Sequence, residues 1–306
     1  MTALFDLPAV ADAELLGVFE PGSPKWHAAR AGGIGGSEIA AVLGVSPWES
    51  AFSLWHRKRG IVPPREVTSE MDAGRRLEPV ICQVFAERHP EFELRGGGTY
   101  RNRQRPHQIA NPDQLIYEPG RTQPHAIFEA KYALTGDKWG AENTDEVPVY
   151  YSAQGRWYLD VFGFDECRLM VFVGSQGEFR EYVIRRDEQD TAVMRAAAEE
   201  FQRQVAQNIR PPIDGHEQTL RVVKDLPEGM VDLDVEIWPL LADQYFDALD
   251  AAAAAEAEKR RAQALVLDQI GDGHRAKSLG DLVATRTVRN GKTYSLQPAR
   301  NRGSFA

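Results

Sequence analysis

The sequence has few cysteines and no long apolar run. Its 306 residues include two cysteines, Cys82 and Cys167, which are far apart and need not pair. Two are too few for an iron–sulfur cluster with four protein ligands, and their scarcity favours a reducing cytoplasm. The seven histidines show no HExxH or other close zinc spacing. No apolar run approaches the length of a membrane span, and the N-terminus lacks the early positive charge of a signal peptide.

Negative charge exceeds positive charge, since the formal net charge is −9. Its distribution is uneven. Residues 25–135 contain 15 Lys and Arg against 12 Asp and Glu, whereas the rest of the chain contains 21 against 33. A basic surface is therefore expected around the N-terminal third, with acidic flanks. Mixed charge of this kind is also ordinary on a solvated surface, so it does not by itself indicate a nucleic-acid enzyme.

The hydrophobic periodicity predicts helices on both sides of a run of strands. Helices are predicted over 37–43, 47–59, 69–88, 148–161, 188–208 and 238–270, and strands over 94–105, 108–117, 126–133, 168–173, 179–184, 282–288 and 292–296. Ser37 is expected to cap the first helix, Pro47 to lie in the first turn of the second, and Pro79 to interrupt or kink the third. This order predicts an α/β (α+β) fold in which helices flank a mixed central sheet.

Composition divides the chain into three parts. Residues 1–24 lack strong periodicity and are expected to be a weakly anchored lead. Residues 25–215 form the expected core, which Arg210-Pro211-Pro212 closes. Residues 216–306 form a C-terminal extension with an acidic start, a long helix and a short β hairpin that turns at Asn290-Gly291.

The strongest chemical signal is Glu129-Ala130-Lys131, which lies in an apolar strand. Alternate side chains of a strand share a face, so Glu129 and Lys131 point the same way. A hairpin can bring Asp113 of Pro112-Asp113 beside them. Two carboxylates and the Ala130 carbonyl are oxygen ligands that Mg²⁺ prefers, and Lys131 could orient or deprotonate a water or balance charge at a phosphate. Phosphodiester hydrolysis needs such a set. A solvated ion pair is the alternative, but charges in so apolar a strand are costly without a purpose.

Three further side chains are candidates for the same site. Glu78, in the block GRRLEP, could bring a third carboxylate from a helix, or it could be an exposed glutamate beside Arg75. Gln154 and Tyr158 are four residues apart on one helix face. They could contact the DNA backbone or hold the lysine, or they could simply belong to the polar face of that helix.

A glycine-rich block before the first helix suggests a phosphate site. Free N–H groups at the start of the helix that Ser37 is expected to cap, together with Arg30, could bind a phosphate. A capped helix that follows a flexible loop is the alternative. Arg101, Arg103 and Arg105 alternate along a predicted strand, where they could grip phosphates or could form a solvated face.

The blocks WHAARAGGIGGSEIAAVLG, GRRLEP, NPD, FEAK and VPVYYSAQGRWYLDVFG occur in this order. In combination, over residues 25–215, they resemble the YqaJ-like viral recombinase family, relatives of phage lambda exonuclease among the PD-(D/E)XK nucleases. The resemblance implies a restriction-endonuclease-like core that depends on Mg²⁺, with Mn²⁺ as a substitute and one or two ions bound. It also implies degradation of one strand of duplex DNA from a 5′ end, with the remaining strand passed to a single-strand annealing protein.

The resemblance also implies roles for individual residues. Asp113, Glu129 and the Ala130 carbonyl would be metal ligands, Glu78 the helix carboxylate at the metal, and Lys131 the catalytic lysine. Arg30 and Ser37 would belong to the pocket for the 5′ or scissile phosphate, and Gln154 would support the site.

The extension departs from the minimal exonuclease, so a ring-shaped trimer is not assumed, although a homo-oligomer is compatible with the sequence. The alternatives are an endonuclease or nickase on the same core, and a DNA-end-binding recombination scaffold with an idle site. A helical interaction protein is a further alternative, based on the apolar face of Leu241, Tyr245 and Leu249.

Overall fold

The computed structural model describes Val10 and residues 12–299, and the chain divides into two compact units, Met1–Gly229 and Met230–Ala306. The strands of the first unit are β1 (Ala13–Gly17), β2 (Ile34–Gly35), β3 (Glu93–Gly96), β4 (Thr99–Asn102), β5 (Gln108–Ala110), β6 (Gln114–Tyr117), β7 (Ala126–Ala133), β8 (Glu166–Val173) and β9 (Glu178–Arg185). Its helices are α1 (Pro24–Ala31), α2 (Gly36–Val42), α3 (Ala51–Lys58), α4 (Ser69–Arg88), α5 (Val149–Phe162), α6 (Glu188–Ala206) and α7 (Glu217–Asp225).

The main sheet of the first unit is five-stranded, in the order β3-β6-β7-β8-β9. Strands β7 and β8 are parallel and the other neighbours are antiparallel, so the sheet is mixed. Alternate residues of β7 enter different cores: Ile127 packs in the cluster that contains Trp157 of α5, and Phe128 packs in the cluster that contains Phe85 of α4. The predicted architecture, a mixed sheet flanked by helices, is confirmed.

A second sheet of the same unit is four-stranded, in the order β1-β4-β5-β2. Each of the two predicted strands, 94–105 and 108–117, is in fact two shorter strands that belong to different sheets. The prediction of two continuous strands was therefore wrong. Gly97 allows the first crossing, because a Cβ there would meet the Pro112 carbonyl oxygen. The second crossing is the stretch Asn111-Pro112-Asp113, so Asp113 lies where the chain changes sheets.

Several element boundaries differ from the predictions. Helix α2 begins at Gly36 with Gly35 as N-cap, so Ser37 is not the cap. Helix α3 is capped by Ser50, whose hydroxyl accepts the Ser53 N–H, and Pro47 lies before the helix. Helix α4 runs without a break through Pro79.

The N-terminal lead is partly ordered as a strand. Residues 13–17 form β1, which pairs with β4, so the weak anchoring expected of the lead does not hold for that stretch. Residues 1–9 and 11 of the lead lie outside the described residues.

The second unit contains a long helix and a small sheet. Helix α8 spans Pro239–Ile270, and the strands β10 (Arg275–Ser278), β11 (Asp281–Arg289) and β12 (Lys292–Pro298) form an antiparallel sheet. The predicted turn is confirmed, since Asn290 and Gly291 have φ of 53° and 76°. Strand β10 was not predicted. Across Val10 and residues 12–299, no helix combines the length and apolarity that a membrane span requires.

Candidate active site

Asp113 lies beside the Glu129 strand because of the register between β6 and β7. Gln114 pairs with Phe128, which places Asp113 across from Glu129. The Asp113 carboxylate accepts the Ala130 N–H at 2.8 Å, and the Asp113 N–H lies 3.4 Å from Glu129 Oε2. The structure therefore brings together the Pro-Asp and Glu-x-Lys sequence pairs, which are separated by a turn and a strand.

Glu129 is almost completely buried, and its carboxylate has two short hydrogen bonds. Its Oε1 accepts from Lys131 Nζ at 2.6 Å and from Gln154 Nε2 at 2.6 Å. Gln154 Nε2 also lies 3.1 Å from the hydroxyl of Tyr158, which donates to the Asn111 carbonyl at 3.0 Å. Helix α5 thus fixes the glutamate rather than the lysine, and the buried Tyr158 is positioned to brace the loop before Asp113, not to contact DNA from the surface.

The charges of the site strongly influence one another. Burial and the charge of Glu129 raise the pKa of Asp113 well above its usual value, and the same two causes raise the pKa of Glu78 on α4. Burial lowers the pKa of Lys131, but the adjacent Glu129 and Asp113 outweigh it, so this pKa is raised. The Lys131 Nζ also lies 5.2 Å from the ring centre of Tyr151. One ammonium thus faces three carboxyl groups.

This donor set fits a hard divalent cation. Three carboxylates with one ammonium leave an excess of negative charge, which Mg²⁺ would balance, and all the acceptor atoms are oxygens. No described residue donates a hydrogen bond to the second oxygen of Asp113, and Glu129 Oε2 accepts only the 3.4 Å contact from Asp113. One oxygen of each carboxylate is thus available. Over the described ranges no three Asp, Glu, His or Cys side chains stand together as a metal-holding group. Glu78 is close enough for its charge to interact with Glu129 and Lys131.

Cys82 was missed as a neighbour of this site. It lies one turn after Glu78 on α4, and burial, together with the charges of Asp113 and Glu78, raises the pKa of its thiol to about 12. The thiol is therefore protonated at neutral pH and is no nucleophile. The four-residue spacing from Glu78 was the available signal, because it puts both side chains on one helix face.

Arg30 and Ser37 form a second polar cluster. Arg30 Nη2 donates to Ser37 Oγ at 3.2 Å, and its guanidinium lies 4.1 Å from the ring centre of Trp26. The prediction of free N–H groups at the start of α2 is wrong for Gly35, because the buried Glu38 carboxylate accepts the Gly35 N–H at 2.8 Å. A ligand would therefore meet the Arg30 and Ser37 side chains rather than the N–H of Gly35.

Glu38 is held by two cations that sequence reasoning missed. Its carboxylate pairs with Arg57 at 3.0 Å and with Lys58 at 2.9 Å, and Lys58 also donates to the Gly33 carbonyl at 2.6 Å. The positive side chains hold the pKa of Glu38 below its usual range despite burial. The buried ion cluster of Glu38, Arg57 and Lys58 therefore holds the glycine-rich loop in place.

The two clusters are connected through a close helix contact. A Cβ at Gly36 would lie 2.3 Å from the ring of Tyr158, so α2 can approach α5 only because that position is glycine. The Arg30 cluster thus packs against the same tyrosine that braces the Asp113 loop.

The shared arginine face predicted over residues 101–105 does not form. Strand β4 ends at Asn102, Arg101 pairs with Glu14 at 2.8 Å, and Arg105 pairs with Asp160 at 3.3 Å. The hypothesis of a phosphate grip by alternating arginines was therefore wrong, because the predicted strand is interrupted and two of its arginines are occupied by carboxylates.

Comparison of the fold with solved structures identifies its class. The alkaline exonuclease LHK-Exo from Laribacter hongkongensis superposes with a TM-score of 0.50 at 18% identity, over 67% of this chain and 100% of that one. A phage-related exonuclease from Haemophilus somnus 129PT gives 0.44 at 13% identity, over 58% and 96% of the two chains. The match to LHK-Exo shows that the chain shares the fold of that alkaline exonuclease.

Sequence comparison finds two further likenesses. Residues 25–165 match the YqaJ-like viral recombinase domain, which confirms the resemblance expected from the sequence blocks. The Bacillus subtilis (strain 168) protein named "Uncharacterized protein YqaJ" is 29% identical over 196 residues. These residues are 62% of this chain, and they span 59% of that relative's length.

Proposed function

We propose that the chain is a Mg²⁺-dependent DNA exonuclease that hydrolyses phosphodiester bonds of duplex DNA from 5′ ends in phage-type homologous recombination. The observation that carries the proposal is the convergence of Asp113, Glu129 and Lys131 at the point where the chain passes from one sheet to the other. The YqaJ-like match and the exonuclease fold support the same activity.

Each residue has a physical task in this proposal. Asp113, Glu129 and the Ala130 carbonyl would hold Mg²⁺, which when bound supplies charge neutralisation at the phosphate and activates a water. Gln154 keeps the Glu129 carboxylate in one orientation, and the Ala130 N–H does the same for Asp113. The Lys131 ammonium lies beside both carboxylates, where it can donate hydrogen bonds to a phosphate oxygen or orient the attacking water.

A single set of digestions tests the activity. The wild-type chain is incubated with Mg²⁺ and linear, nicked or closed-circular duplex of one sequence, with EDTA and Mn²⁺ reactions alongside. We expect loss of the linear duplex with Mg²⁺ or Mn²⁺, no cutting of the closed circle, and no reaction in EDTA. Cutting of closed circles would support the endonuclease alternative. Binding of linear ends without hydrolysis in any metal would support the idle scaffold.

Arg30→Ala is expected to weaken activity most on 5′-phosphorylated ends. Loss of a charged hydrogen-bond donor to a phosphate corresponds to about 10- to 100-fold in kcat/KM. The measurement compares initial rates on matched duplexes with a 5′-phosphate or a 5′-hydroxyl. Arg76→Ala, an exposed arginine that pairs with Asp72 within α4, is the control and should leave both rates unchanged. Equal losses for Arg30→Ala on both ends would place Arg30 outside the terminal-phosphate site.

The proposal extends to duplex DNA as substrate, a single-strand annealing protein as partner, a homo-oligomer as assembly state, and a reducing cytoplasm as location. Both cysteines are free, which suits a reducing compartment. The second unit exposes large apolar side chains, among them Met230, Leu233 and Phe246, which suits contact with another protein.

A further inference from the structure

An aromatic cluster adjoins the candidate active site and reaches the surface. Tyr151, whose ring lies beside Lys131, contacts Tyr150 at 4.6 Å between ring centres, and Tyr150 contacts Trp48 at 4.6 Å. Trp48 also lies 6.0 Å from Tyr151. On the inner side, the buried Trp139 packs 5.5 Å from Tyr151. One tyrosine ring therefore separates the Lys131 ammonium from Trp48.

Trp48 is exposed at the outer end of this cluster. The residue is 42% exposed, although tryptophan usually gains more from burial than other side chains. Tyr150 is half-buried, and burial raises the pKa of its hydroxyl to about 12, so the ring stays neutral. The cluster thus presents a neutral aromatic surface directly beside the charged site.

The loop that carries Trp48 is held rigidly. The Ser46 hydroxyl accepts the N–H groups of Trp48 and Glu49, each at 3.2 Å, and the Ser46 carbonyl lies 3.2 Å from His216 Nε2. The buried Glu49 carboxylate accepts two hydrogen bonds from Arg57, each at 2.9 Å. Buried contacts on both sides of Trp48 fix the backbone, so the exposed indole is preorganised rather than displayed on a mobile loop.

We propose that Trp48, held by the Tyr150 ring at 68° to its own plane, forms with it a stacking platform for an unpaired nucleobase of the DNA strand being cleaved, next to the scissile phosphate. Aromatic rings beside a phosphate-binding site are the usual platform for single-stranded bases, and they accept any base because each has a π-face. The Lys131 Nζ lies 5.2 Å from the Tyr151 ring centre, and the Tyr151 and Tyr150 ring centres lie 4.6 Å apart, so only one ring separates a phosphate at Lys131 from the platform. This inference rests on the proposed nuclease function, and it adds the side chains that would hold the unpaired base.

The test uses the full chain and a 5′-phosphorylated linear duplex. A stable abasic residue is moved one nucleotide at a time through the first four positions of the 5′ strand. The variants are Trp48→Ala, Trp48→Phe and Tyr150→Ala, and the matched control is Trp238→Ala, an exposed tryptophan of the second unit. Binding is measured in EDTA and initial rates in Mg²⁺. 2-Aminopurine at the same positions reports stacking through the quenching of its fluorescence.

For the wild type, we expect one abasic position to weaken binding by about 10- to 100-fold, the loss of one base–aromatic stack. Trp48→Ala should weaken binding of the intact duplex by a similar factor, add little on the abasic duplex, and relieve the 2-aminopurine quenching at that position. Tyr150→Ala should show the same pattern. Trp48→Phe should restore most of the binding, and Trp238→Ala should behave as wild type.

Two outcomes overturn the inference alone: Trp48→Ala cuts and binds as wild type, or it weakens intact and abasic duplexes equally. The second pattern would assign the platform to a structural role or to a protein partner. A wild-type chain that neither binds nor cuts any of the duplexes overturns the proposed function, and this inference with it.

Discussion

Glu129→Gln and Lys131→Ala are each expected to abolish cleavage while leaving DNA binding largely intact. We expect a fall in kcat of about 10²- to 10³-fold or more, the usual effect of removing one group that stabilises developing charge. Glu129→Gln keeps the shape of the side chain but removes the charge that the cation and Lys131 share. Lys131→Ala removes the only ammonium group described among three carboxyl groups. The measurement is single-turnover cleavage of a linear duplex, with affinity determined separately by titration in EDTA.

Lys224→Ala is the matched control for Lys131→Ala, because Lys224 is an exposed lysine on α7 and should leave kcat unchanged. Thermal unfolding of each variant shows that the fold is retained. A Glu129→Gln chain that digests linear duplex at the wild-type rate would remove Glu129 from the site, and the assignment of Asp113 would fail with it.

Asp160→Ala is expected to cause the largest loss of stability. Asp160 lies on α5, and its carboxylate is almost completely buried. It accepts from Arg195 Nε at 2.9 Å and Gln108 Nε2 at 2.8 Å, and it pairs with Arg105 at 3.3 Å and Arg186 at 3.5 Å. One carboxylate therefore joins α5, α6 and β5.

Removal of one partner from a buried ion pair costs about 3–5 kcal/mol. The three arginines keep roughly a fifth to a third of their side-chain surface in water, so we expect a value near 3 kcal/mol, measured as the change in the free energy of unfolding in urea. Glu188→Ala, which removes an exposed partner of Arg186, should change stability by less than about 1 kcal/mol. Equal losses of unfolding free energy in the two variants would mean that Asp160 stabilises the fold no more than an exposed ion pair does.

The effect of Asp160 should depend on pH. Burial raises its pKa, but the hydrogen bonds and charges of Arg195, Gln108 and Arg105 outweigh it, so the pKa lies below the usual value. Because the pKa is lower in the folded state, the charged carboxylate contributes stability above the unfolded pKa, about 3.9. That contribution is lost as the pH falls through the folded pKa. The difference in unfolding free energy between wild type and Asp160→Asn should therefore be full at pH 7 and shrink below about pH 4. A difference that stays constant down to pH 3 would contradict this account.

Local pattern was sufficient for most elements of the fold. The apolar stretch over 126–133 predicted β7 with its bounds, and Asn290-Gly291 predicted a turn that forms with both residues at positive φ. Proline and serine were less reliable guides to helix starts. Pro47 was expected in the first turn of α3, but the helix begins at Ala51 and is capped by Ser50, whose hydroxyl accepts the Ser53 N–H.

The candidate site was partly predictable, because residue spacing within one strand or one helix is local in sequence. Alternation along one strand puts Glu129 and Lys131 on one face, and the four-residue spacing puts Gln154 and Tyr158 on one helix face. Neither rule says that Gln154 would donate to Glu129, or that Tyr151 would lie beside Lys131. Those contacts join segments about twenty residues apart, and the packing of α5 on the sheet decides them.

The chain by itself determined the periodicities, the apolar strand with its charged pair, and the order of blocks shared with YqaJ-like proteins, because all of these are local in sequence. Only the tertiary structure decided that two predicted strands would break between separate sheets, that Glu38 would hold the start of α2, and that Trp48 would meet Tyr150. The physical reason is that each of these depends on close contact between distant segments, as at Gly97 and Gly36, where the absence of a side chain lets another part of the chain approach.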